Sequence, residues 1–279
     1  MSAMRSRTDT RLFFRPVAIE IVTLLRTLPP EDWTRPTVAG RWRVRDVVAH
    51  LLDTALRRLS FDRDRIIPPA PAPLNSERDF VAFINDLNAA WIRAAERLSP
   101  RVLTDLYAHA GAALADFMES ASLESPALFA VSWAGDTASE AWFDIGREFT
   151  EIWHHGSQIR DAVAAGSFSN PRWLRAVLDI AFHALPHAYR DVPGRAGLSL
   201  AIEVLGPSGG RWTLAHTGER WELVDAGDAA PTATATMTDD VAWRLFFNAL
   251  SPSAAAESVR FEGDPAIGRP LLRVRSIVV

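Results

Sequence analysis

Two short stretches hold the residues best suited to chemistry. Thr150 to Asp161 reads TEIWHHGSQIRD, with a glutamate three residues before one histidine and four before another. On a helix, i+4 lies about 40° to one side of i and i+3 about 60° to the other, so Glu151 can share a face with either His155 or His154. Spacing alone leaves both open. Such a pair suits one divalent ion, and it suits an ordinary helical charge pair equally well. The second stretch, Gly40 to Asp53, reads GRWRVRDVVAHLLD. It sets His50 between Val47 and Leu51, on the inward stripe of a helix. A histidine there is ordinarily a packed core residue. Helical bundles, however, also build metal sites from inward residues on facing helices. One histidine from one helix and a Glu/His pair from another make an N,N,O donor set. Three protein ligands leave a coordination position open, the pattern of a catalytic rather than a structural zinc. Nickel, manganese and iron accept the same donors.

The elements that must position these residues can be traced from apolar spacing. Phe14, Val17, Ile21, Leu24, Leu25 and Leu28 recur at helical intervals from about Thr10 until Pro29-Pro30 stops them. A second helix spans about Val44 to Ser60. The run IIPPAPAP, Ile66 to Pro73, is predicted to be a loop. A third helix starts after Ser76, read as its N-cap, and ends near Leu98. Residues 101 to 122 read as a fourth. A long helix runs from about Ser139 to Ala165 with Gly166 as its C-cap, followed by a connecting helix from Pro171 to about Arg190. Beyond Pro193-Gly194 the pattern changes to strands: LSLAIEVLG, GGRWTLAHTG, RWELVDAG and TATATMT, with glycine turns between the early ones. Asp239-Asp240 is expected to cap a helix over Val241–Leu250, VRFEGD to form a short strand or turn, and Pro265 to about Val274 a last helix. The expected organisation is an all-α bundle over residues 1–192 and a small α+β domain over 193–279.

Composition narrows the function classes. The chain has 279 residues, 48% of them hydrophobic and 23% charged, which is enough to build a sizeable core. A net charge of −4 argues against a nucleic-acid partner. All 30 basic residues are arginine, a bias read as genomic; a few of them could still grip an anionic substrate. With no cysteine, the chain offers neither a disulfide nor a thiolate, as a reducing compartment allows. Leu12-Phe13-Phe14 is broken by Arg15 and Pro16, so no secretory signal is read there. No apolar run reaches the roughly 18–20 residues of a membrane span. The expectation is a cytoplasmic protein with a small-molecule substrate, no nucleic acid and no membrane; its oligomeric state is not legible.

The two stretches resemble the signature segments of the mycothiol-dependent maleylpyruvate isomerase family, within the DinB-like metal-binding helical bundles. Trp42, Arg45-Asp46 and His50-Leu51 match the first segment, and Glu151 with His155 matches the second. The C-terminal part, above all VRFEGDPAIGRPLL from Val259, is similar to the sterol-carrier-like domain that often follows in that family. The resemblance therefore implies a DinB-like four-helix bundle followed by a sterol-carrier-like α+β domain. It implies a divalent metal, zinc first among them, held by His50, Glu151 and His155. It also implies a low-molecular-weight thiol such as mycothiol as cofactor. The activity it implies is a thiol-dependent isomerase or S-transferase acting on a small, electrophilic, acidic molecule. In the isomerase a thiolate adds to a conjugated double bond, the bond rotates, and elimination gives the trans product. The family often carries an aspartate three residues after the ligand histidine, where this chain has Gln158. The arginine that the family uses from its C-terminal domain has no counterpart by motif; Arg211, Arg244, Arg269 and Arg273 are all available.

Other residues carry double readings. Asp46, one turn before His50, either accepts from a ring N–H of that histidine or is a favourable first-turn charge. Asp53 is read as exposed. Trp42 is either a pocket wall or core, and His154 a neighbour of the site or a surface residue. Arg160 and Asp161 read as ion-pair residues, and His109, His183, His187 and His216 as structural. Two other function classes remain beside the thiol-dependent one. One is a non-catalytic metal-containing protein that binds a lipid-like ligand in an apolar groove. The other is a hydrolase using metal-bound water.

Overall fold

In the computed structural model the described residues are 7–69, 77–225, 227 and 229–277. Helices come first and a mixed sheet follows, as the sequence pattern predicts. Helix α1 (Phe14–Leu25) follows a 3-10 turn, and α2 (Val44–Arg58) runs on into a π turn at Leu59–Arg63. Then come α3 (Glu77–Ala95), α4 (Pro100–Ser120) and α5 (Ala141–Ala162). The chain forms two compact units. One comprises Thr10–Ser122 and Glu151–Phe168; the other is built from Leu123–Thr150 and the chain from Ser169 onward. Helix α5 is unbroken and gives its C-terminal half to the first unit and its N-terminal half to the second.

In the first unit, α1 and α4 pack through buried Phe14, Val17, Ile21 and Leu25 on one side and Leu103, Tyr107, Ala110 and Leu114 on the other. Their half-exposed rim is tied by Arg15 to Glu119 at 3.0 Å. At the start of helix α2, Asp46 Oδ2 accepts from the Arg43 backbone N–H at 2.9 Å and from its guanidinium Nε at 3.3 Å. Helix α3 is fixed against α2 by the Trp91 indole N–H, which donates to the Ala49 carbonyl at 2.8 Å. The C-terminal half of α5 is tied to α1 by Arg160 and Glu20 at 3.2 Å. The same guanidinium donates to the Gly166 and Ser167 carbonyls at 2.7 and 3.0 Å, so the expected ion pair also anchors the turn that leaves the helix.

In the second unit, α6 (Pro171–Ala181) and the one-turn α7 (Leu185–Ala188) replace the single connecting helix, with a 3-10 turn between them. Strands β1 (Ser199–Leu205), β2 (Gly210–His216), β3 (Trp221–Val224) and β4 (Ala233–Thr238) follow, then α8 (Asp239–Phe246), α9 (Pro252–Ser258), β5 (Arg260–Gly263) and α10 (Pro265–Gly268). The sheet order is β3-β2-β1-β4-β5, with β1 and β4 parallel and every other pair antiparallel. The central β1 buries Leu200, Ala201 and Ile202 in succession and so is covered on both faces, whereas β4 alternates, with Ala233, Ala235 and Met237 buried. The β1–β2 connection is the expected glycine-rich hairpin.

Several local expectations are corrected. The cap of α8 is Thr238, whose hydroxyl accepts from the Val241 N–H at 3.2 Å; Asp239 and Asp240 are its first turn. Helix α9 was not foreseen. The last helix is one turn, α10, continued by a 3-10 turn over Arg269–Arg273. Residues 70–73 of the expected loop and Ser76, the expected N-cap of α3, lie outside the described residues. Among the described residues no helix is long and apolar enough to cross a membrane.

The end of α5 is also unlike the expectation. The Ala165 N–H bonds back to the Arg160 carbonyl at 2.9 Å and the Ala164 N–H to Asp161 at 3.2 Å, the pattern of a Schellman cap. The left-handed residue of that cap is Ala164 at φ 55°, not Gly166. A Cβ in this conformation costs roughly 1–2 kcal/mol, while glycine's extra freedom when unfolded gives back about 0.4–1. Ala164→Gly is therefore expected to stabilise the fold by about 0.5–1 kcal/mol, as a rise in the urea midpoint at unchanged m-value.

Candidate metal centre

Two helices of the first unit bring the predicted residues together. His50 sits mid-way along α2, where Val47, Val48, Leu51 and Leu52 bury the helix on both sides of it. Glu151 and His155 stand one turn apart on α5. His50 and His155 are 6% and 7% exposed, so both imidazoles lie in the interior. One ligand atom from each of His50, Glu151 and His155 lies within 4.8 Å of the other two. Glu151 Oε2 is 3.5 Å from His155 Nε2 and 4.0 Å from His50 Nε2. Atoms bonded to one tetrahedral zinc at about 2.0–2.1 Å sit about 3.3–3.4 Å apart. The observed spacings are thus longer than hydrogen bonds and only slightly wider than a shared ion requires.

The protonation states suit ligation. Burial pushes the His50 imidazole down to about 4, against a smaller upward pull from Glu151, so at neutral pH it is neutral and has a lone pair to give. Burial also pushes the Glu151 carboxyl up, but the nearby His155 and His50 imidazoles outweigh it and hold the group well below its usual range. At neutral pH the set therefore includes a neutral His50 and an ionised Glu151, with the His155 imidazole beside them. The tautomer of His155 is set from behind: its Nδ1 lies 2.8 Å from Gln158 Oε1, one turn on along α5. An amide oxygen only accepts, so Nδ1 is the donor in this contact, and Nε2 is the ring atom that faces Glu151. His50 has no such support, because its buried Nδ1 makes no hydrogen bond.

The remaining candidates fall around this triad. Trp42, half-buried in the segment before α2, places its ring 4.9 Å from that of His50 and 6.0 Å from that of His155, so it walls the site. His154 is buried, with its ring 4.0 Å from that of His155, but contributes no atom to the triad. Asp46 is taken up by the start of α2 through Arg43, which resolves its double reading toward the helix terminus. Asp53 is buried rather than exposed and lies 3.2 Å from Arg57, one turn on. Arg57 was not singled out in the sequence. It shares a face with His50 two turns away, and its charge helps to lower that histidine; the Asp-x3-Arg spacing was the only signal for it. Gly156 was also missed. A Cβ on it would meet Phe168 at 2.7 Å and Ile21 at 2.9 Å, so its bare backbone lets α1 press against the ligand helix.

The other four histidines take no part in the triad. His216 Nδ1 accepts from the Gly218 N–H at 3.0 Å, and its ring meets that of Trp221 edge-on. His183 packs among Trp142 and Phe143, His187 lies against Gly135, and His109 is exposed. Arg211, Arg244, Arg269 and Arg273 belong to the sheet-bearing unit.

The sequence model of the mycothiol maleylpyruvate isomerase N-terminal domain matches residues 14–160, more than half of the chain. The chain belongs to that family. The match begins at the start of α1 and takes in all three triad residues. Within this family, two crystal structures share the fold across both of the chain's parts. One is of the mycothiol-dependent maleylpyruvate isomerase, at a TM-score of 0.52 and 13% identity. The other is of a histidine-to-alanine mutant of that enzyme, at 0.51 and 12%. Each alignment covers 90% of this chain and 91% of the other. No curated protein matches the chain in sequence. The family's fold is thus shared with an isomerase, and it brings together a His/Glu/His set that could hold a metal.

The depressed His50 has a measurable consequence in metal-free protein. An unfolded histidine takes up its proton near pH 6.5, while the folded one stays neutral down to about 4. Between those values the unfolded state binds more protons, so stability falls as the pH is lowered through this window. Urea unfolding of chelator-treated protein is expected to show this loss, at up to roughly 1 kcal/mol per pH unit from this group. The slope should flatten in His50→Gln.

Proposed function

We propose that the chain is a metal-dependent enzyme that uses a low-molecular-weight thiol to isomerise, or to transfer sulfur to, a small electrophilic acidic molecule. The observation that carries this reading is the triad itself. Two imidazoles and one carboxylate, from two helices, have their donor atoms within 4.8 Å in the interior of the family's N-terminal domain. His50, Glu151 and His155 would hold a divalent ion, zinc foremost, as three ligands. When bound, such an ion would lower the pKa of a coordinated thiol and so supply a thiolate at neutral pH. The thiol must come from a small molecule, because the chain has no cysteine. Mycothiol is the first candidate, by the name of the structurally similar enzyme.

The chain's own residues prepare the site before any chemistry. Gln158 holds the His155 proton on Nδ1. Trp42 closes one side, and the α2 core keeps bulk water from His50. For the isomerisation, the sulfur forms a bond to one carbon of a conjugated cis double bond and the electron pair moves into the neighbouring carbonyl. The resulting single bond rotates. The pair then returns, the carbon–sulfur bond breaks, and the thiolate leaves the trans isomer. Atoms and electrons balance, and no oxidant is needed.

Metal analysis of the purified, zinc-loaded protein tests the site. Wild type and His154→Ala are expected to retain one ion per chain, whereas His155→Ala and Glu151→Ala lose at least 100-fold in affinity. Retention by His155→Ala with loss in His154→Ala would move the site by one residue. For the activity, zinc-loaded protein is mixed with mycothiol and maleylpyruvate and the trans product is followed by absorbance. Turnover that needs both metal and thiol is expected. Rates equal to the protein-free mixture, with no thiol consumed on this or other unsaturated keto acids, would sink the proposal.

A further inference from the structure

Resting on the metal reading above, we infer that Gln158 sets the charge of this centre and so tunes it for an anionic fourth ligand. The geometry is direct. Gln158 is 4% exposed and its Oε1 lies 2.8 Å from His155 Nδ1, the ring atom opposite the one that faces Glu151. A buried acceptor in this place fixes the ring and raises the donor strength of Nε2. A carboxylate would do the same and add a negative charge a few ångströms behind the ligand; an amide does the first without the second.

The surroundings make that difference count. Two other carboxylates near the triad are each balanced by an arginine of their own segment: Asp46 by Arg43 at 3.3 Å and Asp53 by Arg57 at 3.2 Å. The triad carries one carboxylate, Glu151, so a divalent ion leaves it with one net positive charge. In an interior from which water is largely excluded, that charge is weakly screened and favours an anion at the remaining position over a neutral molecule. A glutamate at 158 would cancel it. Gln158 is thus a positioning residue that acts through His155. It trades some grip on the metal for affinity toward an anion such as a thiolate.

The test uses full-length protein loaded with Co²⁺, whose absorption spectrum reports the ligand set. Wild type, Gln158→Glu and Gln158→Leu are compared. Cobalt affinity is measured by chelator competition, and affinity for azide by titration of the cobalt bands. Gln158→Glu, which keeps shape and acceptor, is expected to bind Co²⁺ about tenfold more tightly and azide about tenfold more weakly. Gln158→Leu, which removes the acceptor, is expected to lose about 10- to 100-fold in cobalt affinity. A residue that merely fills space would leave the azide affinity of Gln158→Glu unchanged, and that result, or an increase, would overturn the inference. Should Gln158→Leu unfold, the Glu variant alone still decides. If wild type takes up no cobalt, the metal reading itself fails, an outcome seen before any variant is compared.

Discussion

Desolvation of the His50–Glu151–His155 cluster is the constraint around which the helical unit is arranged. Two imidazoles and a carboxylate are gathered into an interior largely built of apolar residues such as Val47, Val48, Leu51 and Leu52. Such groups are costly to bury unless each finds a partner. The unit meets this cost unevenly. Glu151 is held as a carboxylate by the histidines around it, and His155 by Gln158. His50, with one ring nitrogen near the carboxylate and the other unpaired, stays neutral because burial leaves it no stable charged form. An arrangement that is incomplete by itself, and that a single cation would complete, differs from an ordinary satisfied core.

The rest of the unit steadies that cluster. The Asp46 cap fixes where α2 starts and therefore which residue reaches the interior six positions later. The Trp91 indole holds the α2 backbone at Ala49, next to the ligand. Arg160 ties α5 to α1 and secures the turn beyond it. None of these groups touches the triad, yet each limits how far α2 and α5 can shift, and donor atoms must be placed within a few tenths of an ångström to share an ion.

The broad plan was legible in the sequence because the two periodicities are clean. Apolar residues recur at helical intervals until Arg190, and alternation appears only from Leu198. His50 could be placed on an inward face because Val47 and Leu51 flank it on the same stripe. The choice between His154 and His155 was not legible from spacing, since both lie within reach of Glu151; family resemblance favoured His155, and the fold brings that one to the carboxylate. Details decided by tertiary contacts escaped. The cap of α5 places Ala164 in its left-handed position, two residues before a second left-handed residue, Gly166, a placement set by hydrogen bonds that residue type does not reveal. Asp53 looked solvated but is buried beside Arg57, a pairing that only the packing of α3 against α2 encloses. The Thr238 cap was passed over for two aspartates because a side chain's rotamer, not its type alone, selects the capping group.

Gly156 bears on how the possible metal site is held. Between His155 and Gln158 the helix presents bare backbone to Ile21 and Phe168, and these close onto it. Helix α5 is therefore packed closely from behind at the level of the triad. A cation of larger radius has to be met by side-chain torsions alone, and Gln158 restrains one of the three. Any selection by ionic size in this centre would begin at a residue with no side chain.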